Sequence, residues 1–320
     1  MTGCRGRAPG LFLARRLAIL LATLLVASLV VFVALQVLPG DPAAIMLGTG
    51  ARADTLAALR HQLGLDRPLA WRYLGWLWQL ARGQLGDSVT YHVPVAQLIS
   101  QRLPVSLPLA AAAIVLSTAA GLPLGVWAAA RRGQASDVAT MAVAQLGVAV
   151  PNFWLGLLLI LLFAVRLAWL PASGFPGWDD PALAVRALLL PTVALALPQA
   201  AVLARVTRGA VLETLGEDFV RTARARGLSR RAALWRHAVP NAMIPVVTII
   251  GLQFSFLLAG AVIVETVFTL PGVGRLLFQA IAQRDLVVVQ DIVVLLVASV
   301  VVVNFAVDLI CAAIDPRLRA

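Results

Sequence analysis

The chain has 320 residues, 61% of them hydrophobic and only 13% charged, with a mean hydropathy of +0.91. A water-soluble domain carries about 25% charged residues, so this composition excludes an ordinary soluble globule and indicates a polytopic membrane protein. The formal charge of +11 rests on 26 arginines without a lysine, which excludes a phosphate-binding P-loop and Schiff-base chemistry.

About 20 apolar residues cross the hydrocarbon core as a helix. The first such run is Leu17 to Leu38, preceded by Arg15 and Arg16 and followed by Pro39-Gly40-Asp41-Pro42. It is too long for the apolar region of a signal peptide and reads as an uncleaved anchor. From Pro39 to Arg102 the chain turns polar and aromatic. Trp71, Leu74 and Trp78 recur there at helical spacing beside Tyr73 and Trp76. That pattern fits a short helix at a membrane interface, where amphipathic rings settle, or an extramembrane subdomain packed on its own aromatics.

Five further runs follow. They are Val105 to Ala130, closed by Arg131-Arg132; Val138 to Val165, interrupted by Pro151; Ala187 to Ala204, with Pro191 and Pro198; Ile244 to Val264; and Ile292 to Ile314. Proline is tolerated in spans where neighbouring helices satisfy the freed carbonyls. The expected fold is therefore an all-α polytopic membrane protein with six transmembrane helices. Residues 1–38 form a tail and the first span, 39–95 an extracytoplasmic segment, 96–314 a core of five spans, and 315–320 a second tail.

With the N-terminus inside, the cytoplasmic pieces are 1–16, 131–137, 205–243 and 315–320. They hold sixteen arginines against five acids, while the outer segments hold ten against nine. This is the positive-inside asymmetry. It places both termini in the cytoplasm and explains the net charge without nucleic acid. Cys4 and Cys311 stand at opposite ends and offer no disulfide framework or metal-ligand spacing. His61, His92 and His237 lack a second ligand at helical spacing. No catalytic, cofactor-binding or metal-binding residue is expected.

The largest cytoplasmic loop, 205–243, carries a pattern. Gly216 to Gly227 reads as a short helix with acids in its first turn and arginines in its last, complementing the helix dipole. Gly227 is placed for the left-handed conformation that ends a helix. Ser229 then caps a second helix with Leu228, Ala232, Trp235 and Val239 on one face, held against the membrane by Trp235 and Val239. Pro240 closes it before span five.

This segment resembles the coupling loop of permease subunits in binding-protein-dependent ABC importers, whose consensus is Glu-Ala-Ala, three residues, Gly, nine residues, Ile-x-Leu-Pro. Ala223, Gly227 and Pro240 match at the correct spacing; Arg221, Thr222, His237 and Val239 replace the Glu, the first Ala, the Ile and the Leu. The stretch Asp218 to Leu228 is similar to the variant typical of dipeptide, oligopeptide and nickel permeases. Similar tags run along the chain: Leu38 to Pro42, Leu63-Gly64-Leu65-Asp66, Leu170 to Gly174, Glu265 to Phe268, Pro271 to Arg275, and Asn304, Asp308 and Asp315-Pro316-Arg317. A Tyr is more usual where Cys311 stands.

The resemblance implies a type I ABC importer permease fold in the cytoplasmic (inner) membrane, importing short peptides or, in the same architecture, nickel chelates or glutathione. It implies a second permease subunit, two ATPase subunits that alone bind ATP, and an extracytoplasmic solute-binding protein. Asp218, Arg221, Thr222, Ala223, Arg224, Gly227 and Pro240 would form the ATPase-coupling loop. An anionic-lipid contact is the alternative for Arg224 and Arg226.

Within or near the spans, Gln145, Asn152, Gln199, Gln253, Ser255 and Asn304 serve as interhelical hydrogen-bonding groups or line a pathway. Asp308 reads as the one acid inside a span. A structural pairing with a cytoplasmic-end arginine is favoured over a proton relay, for which no deeper partner exists. A proton-coupled secondary transporter would need buried carboxylates near the midplane and repeated halves, and an intramembrane enzyme a nucleophile–base pair; the spans display neither. Gly121-x-x-x-Gly125 permits close helix approach.

Overall fold

A computed structural model of the chain describes residues 9–37, 47, 52–62 and 66–314. Cys4, Arg5, Arg7, the tag Leu38 to Pro42, the stretch Leu63 to Leu65, and the C-terminal tag Asp315 to Arg317 lie outside the described residues. In chain order the helices are α1 (Pro9–Val37), α2 (Ala53–Gln62), α3 (Leu69–Ala81), α4 (Val95–Ala130), α5 (Ala135–Ala149) and α6 (Asn152–Leu159). They continue with α7 (Pro181–Gly216), α8 (Asp218–Ala225), α9 (Arg230–Ala233), α10 (Val239–Val267), α11 (Val273–Ala282) and α12 (Leu286–Ile314). Among the described residues five helical stretches are long and apolar enough to cross a membrane, or six if a bent pair is one span.

That bent pair is the third expected span. Helices α5 and α6, the latter continued as a π-helix over Ile160–Arg166, meet at 100°. The break is at Pro151, and the residue before it, Val150, is extended at φ −85° and ψ 121°. Proline's ring clashes with a helical predecessor and its nitrogen has no hydrogen to donate. Pro151 was expected to be tolerated and is not. Pro104, Pro108 and Pro123 in α4, Pro191 and Pro198 in α7, and Pro245 in α10 sit inside continuous helices.

The helices also outrun their apolar cores. Helix α4 begins at Val95 rather than near Val105, α7 continues past Ala204 to Gly216, and α12 begins at Leu286 rather than Ile292. Two ends are stabilised by carboxylate caps. Asp180 accepts from the Ala182 and Leu183 amides at the start of α7. Asp285 accepts from the Val288 amide at the start of α12, and from the Ser88 hydroxyl at 2.5 Å and the Thr90 amide at 3.0 Å, which ties the loop before α4 to it.

The core is α4 on α7, with α10 across both. Val105, Leu109 and Ala113 of α4, Leu195 of α7, and Leu257 and Val264 of α10 form its central cluster. Small residues set the approach. A Cβ built on Gly121 would lie 2.6 Å from the Ala200 carbonyl oxygen, and one on Gly125 would lie 2.5 Å from that of Ala204. The Gly121-x-x-x-Gly125 pair is therefore the α4–α7 contact itself. A second cluster joins the start of α4 to α11 and α12. Helix α1 is peripheral, with only 11% of its apolar window buried. It is fastened by the Arg16–Asp308 ion pair, by a Ser28–Tyr73 hydroxyl contact at 2.9 Å, and by Phe32 against the Tyr73 and Trp76 rings of α3.

Candidate functional site

The segment after α7 folds into a compact knob. Helix α8 is a steep amphipath on Val220, its buried anchor. The Gly227 amide donates to the Arg224 carbonyl at 2.9 Å and the Leu228 amide to that of Ala223 at 3.3 Å. With Gly227 at φ +96°, these two bonds make a Schellman terminus. Ser229 Oγ then accepts from the Ala232 amide at 3.2 Å, capping α9. The turn and the cap expected from sequence are thus both present.

One expectation about the second helix is corrected. Pro240 does not close it. Leu234–Ala238 is wound as a π-helix, so the helix is continuous from Arg230 to Val267, with Pro240 in the first turn of α10. Proline has no N–H to close on the preceding turn; here the wide π-turn lies directly before it, and Asn241 Nδ2 donates to the His237 carbonyl at 2.6 Å in the same turn. The residues buried against the rest of the chain lie on a different face from Trp235. Ala233, Leu234 and Ala238 pack with Val126, Val211 and Ala242, while Trp235 is 53% exposed. Trp235, Trp127, Arg131, Arg230 and Arg231 instead line an open groove of about 890 Å³.

The knob presents charge. Arg221, Arg224 and Arg226 are exposed; Arg221 lies 3.5 Å from Asp218 in a solvent-facing pair, which contributes little. Thr222 Oγ1 donates to the Asp218 carbonyl at 2.9 Å, and Ala223 is half-buried. Asp218 through Gly227 therefore stand together on one rigid projection, and Pro240 stands apart on the helix that carries it.

The intramembrane polar residues are dispersed. Arg205 of α7 donates to Gln145 Oε1 of α5 at 3.2 Å, and Gln253 of α10 donates to the Gln199 carbonyl of α7 at 2.7 Å. Asn152 lies against Gly260, where a Cβ would come within 2.7 Å of its amide nitrogen. Ser255 and Asn304 are half-buried. Asp308 is paired with Arg16 of α1.

Asp308 is not the one acid in a span. Because the helices are longer than their apolar runs, Asp137, Glu213, Glu265 and Asp291 also fall within helical segments. Asp137 is buried and accepts from Arg208 at 2.6 and 2.8 Å and from the Gly133 amide at 3.0 Å. Glu265 is fully buried and accepts from Ser106 Oγ and from the Arg275 amide at 3.0 Å. Next to it Thr269 takes φ +49°, rare for a β-branched residue, with its carbonyl held by the Arg275 guanidinium at 2.6 Å. Sequence reasoning singled out the tags from Glu265 to Arg275 without assigning them a contact. The glycines were the signal: a Cβ on Gly272 would collide with the Glu265 carboxylate.

Comparison with known proteins agrees along the chain. Residues 121–320 match the family described as binding-protein-dependent transport system inner membrane component, and residues 11–110 match its N-terminal region. A putative peptide transport system permease protein of Brucella abortus is 42% identical over 306 residues, covering 95% of this chain and 98% of the relative. A di/tripeptide transport system permease protein of Pseudomonas aeruginosa is 42% identical over 331 residues, covering 96% and 98%. The dipeptide transport system permease protein of Escherichia coli is 38% identical over 333 residues, with the same coverage. Among solved structures, an inward-facing form of the MetNI methionine ABC transporter superposes with a TM-score of 0.57 at 21% identity, over 68% of this chain and 97% of that one. The fold is thus that of an ABC importer permease. The chain belongs to the family of inner membrane components of binding-protein-dependent transport systems.

Proposed function

We propose that this chain is a pore-forming permease subunit of an ATP-driven importer of short peptides, and that the Asp218–Gly227 knob receives the stroke of a separate ATPase. The observation that carries the reading is mechanical. The knob is closed by a Schellman turn and a serine cap, and its second helix runs unbroken into α10. A push on the knob therefore moves a span, where a flexible loop would absorb it. Arg221, Arg224 and Arg226 face outward to meet acidic groups on the ATPase.

The arginine distribution orients the knob and both termini to the cytoplasm. A second permease subunit, two ATPase subunits and an extracytoplasmic binding protein complete the assembly. The names of the Brucella, Pseudomonas and Escherichia relatives favour peptides over nickel chelates or glutathione as cargo. Polar side chains such as Gln253 and Gln145 are spent on interhelical contacts, which suits a weakly binding path and leaves affinity to the binding protein.

The test is Gly227→Trp. Nothing lies within 4 Å of a Cβ at this position, so the indole projects outward and blocks the surface; Gly227→Ala, which carries the same left-handed backbone strain at φ +96° without the bulk, is the control. ATP-driven peptide uptake is abolished and co-purification of the ATPase is lost. Undiminished uptake would remove the knob from the mechanism.

A further inference from the structure

Helix α3 carries two features that the importer reading does not use. Trp71, Leu74 and Trp78 form a stripe 69%, 54% and 60% exposed, bordering a groove of about 540 Å³. Beside it, a cavity of about 280 Å³ opens between α1, α3 and α12, lined by Gln36, Arg67, Arg72, Gln79 and Gln290. Arg67, Trp71 and Gly75 border both spaces, so groove and cavity are continuous. Trp76 lines the cavity, its indole held by donation to Asp291 at 3.4 Å.

The charges there are uncompensated among the described residues. Among the described residues no acid lines the cavity, and neither Arg67 nor Arg72 has an ion-pair or side-chain hydrogen-bond partner. Arg72 is half-buried, and that burial pulls its guanidinium below the usual arginine value. Two other half-buried arginines, Arg16 and Arg208, are matched by Asp308 and Asp137, and Arg275 by the Thr269 carbonyl. A partly desolvated cation without its acid, fringed by three primary amides, is a binding site for an anion with several acceptor oxygens. Its depth identifies the source. Gln36 is the last residue of the α1 span and Gln290 lies in the first two turns of α12, so the cavity sits where the spans end and headgroups begin.

We infer that the cavity binds the phosphate of an anionic phospholipid through Arg67 and Arg72, with an acyl chain lying in the Trp71–Leu74–Trp78 groove. The three glutamines hydrogen-bond the remaining headgroup oxygens. The lipid thereby joins α1 to α3 and α12 at the end of the bundle opposite the Arg16–Asp308 pair. A zwitterionic headgroup is disfavoured because no acid among the described residues lines the cavity to meet its ammonium.

The test uses the full-length chain in neutral detergent, titrated with dioleoyl phosphatidylglycerol, dioleoyl phosphatidylcholine or inorganic phosphate, with bound species and thermal unfolding recorded. Phosphatidylglycerol is retained and raises the unfolding temperature; phosphatidylcholine and phosphate do neither. The double variant Arg67→Gln/Arg72→Gln binds it about ten- to thirtyfold more weakly, the loss of two cations near an anionic headgroup. Gly75→Trp keeps both arginines but fills the groove, where a Cβ meets nothing within 4 Å, and weakens binding as well. Arg166→Gln, far from the site in sequence and on another element, has no effect. Wild-type retention by the double variant or by Gly75→Trp would overturn the assignment. So would equal binding of phosphatidylcholine, or an equal response to phosphate alone. If the double variant fails to fold, Gly75→Trp decides.

Discussion

Ser106 of α4 donates its hydroxyl hydrogen to the Glu265 carboxylate of α10 at 2.6 Å, and the same oxygen accepts from the Val273 amide of α11 at 2.8 Å. One hydroxyl therefore joins three helices around a fully buried acid. Ser106→Ala leaves the Val273 amide without its acceptor and Glu265 with the Arg275 amide but not the hydroxyl, and an unsatisfied buried polar group costs about 1–3 kcal/mol. The variant unfolds at a clearly lower temperature in detergent. An unchanged melting curve would mean that this junction contributes nothing.

The Asp137–Arg208 pair joins α5 to α7 through two parallel bonds. Removing either partner alone strands the other in a mostly buried setting, at a cost of about 3–5 kcal/mol. Replacing both, as in Asp137→Leu/Arg208→Met, costs less than the sum of the single changes. A double-mutant cycle on unfolding temperature measures this directly; additive losses would show that the two side chains do not depend on each other.

Two glycines of similar appearance differ in consequence. Gly125→Ala drives a methyl into the Ala204 carbonyl and Thr207 across the α4–α7 contact and destabilises by about 1–3 kcal/mol. Gly209→Ala meets nothing within 4 Å and gains up to about 1 kcal/mol of helix propensity. Thermal unfolding of the pair should move in opposite directions.

At Gly227 the space is open but the backbone is not. With φ at +96°, Gly227→Ala costs about 1–2 kcal/mol from the left-handed conformation alone, felt locally at the knob. Hydrogen exchange at the Gly227 and Leu228 amides should rise by at least several-fold, while amides in the α4–α7 core stay protected. Uniform exchange across both regions would tie the knob to global unfolding instead.

Much of this was legible from residue order. The six apolar runs, the turn at Gly227 and the cap at Ser229 each follow from local chemistry, and the structure contains them. The bend at Pro151 was not legible, because Pro191 and Pro198 carry the same local signature and remain inside a helix. What separates them is packing: Pro191 and Pro198 are buried, while Pro151 is exposed. The continuation of α9 into α10 was hidden likewise, since a proline reads as a stop unless the wide turn before it is known. Buried Glu265 and Asp291 looked like loop acids because apolar runs mark the bilayer's thickness and not the helix's length. Their partners, Ser106 and Trp76, are 159 and 215 positions away.

The account turns on work delivered from outside the chain. Proteoliposomes containing this subunit with its co-purified partners should accumulate a labelled dipeptide against its gradient only when ATP is present on the Gly227 side, and the Gly227→Trp assembly should accumulate none. Uphill accumulation by vesicles holding this polypeptide alone, without nucleotide, would contradict it.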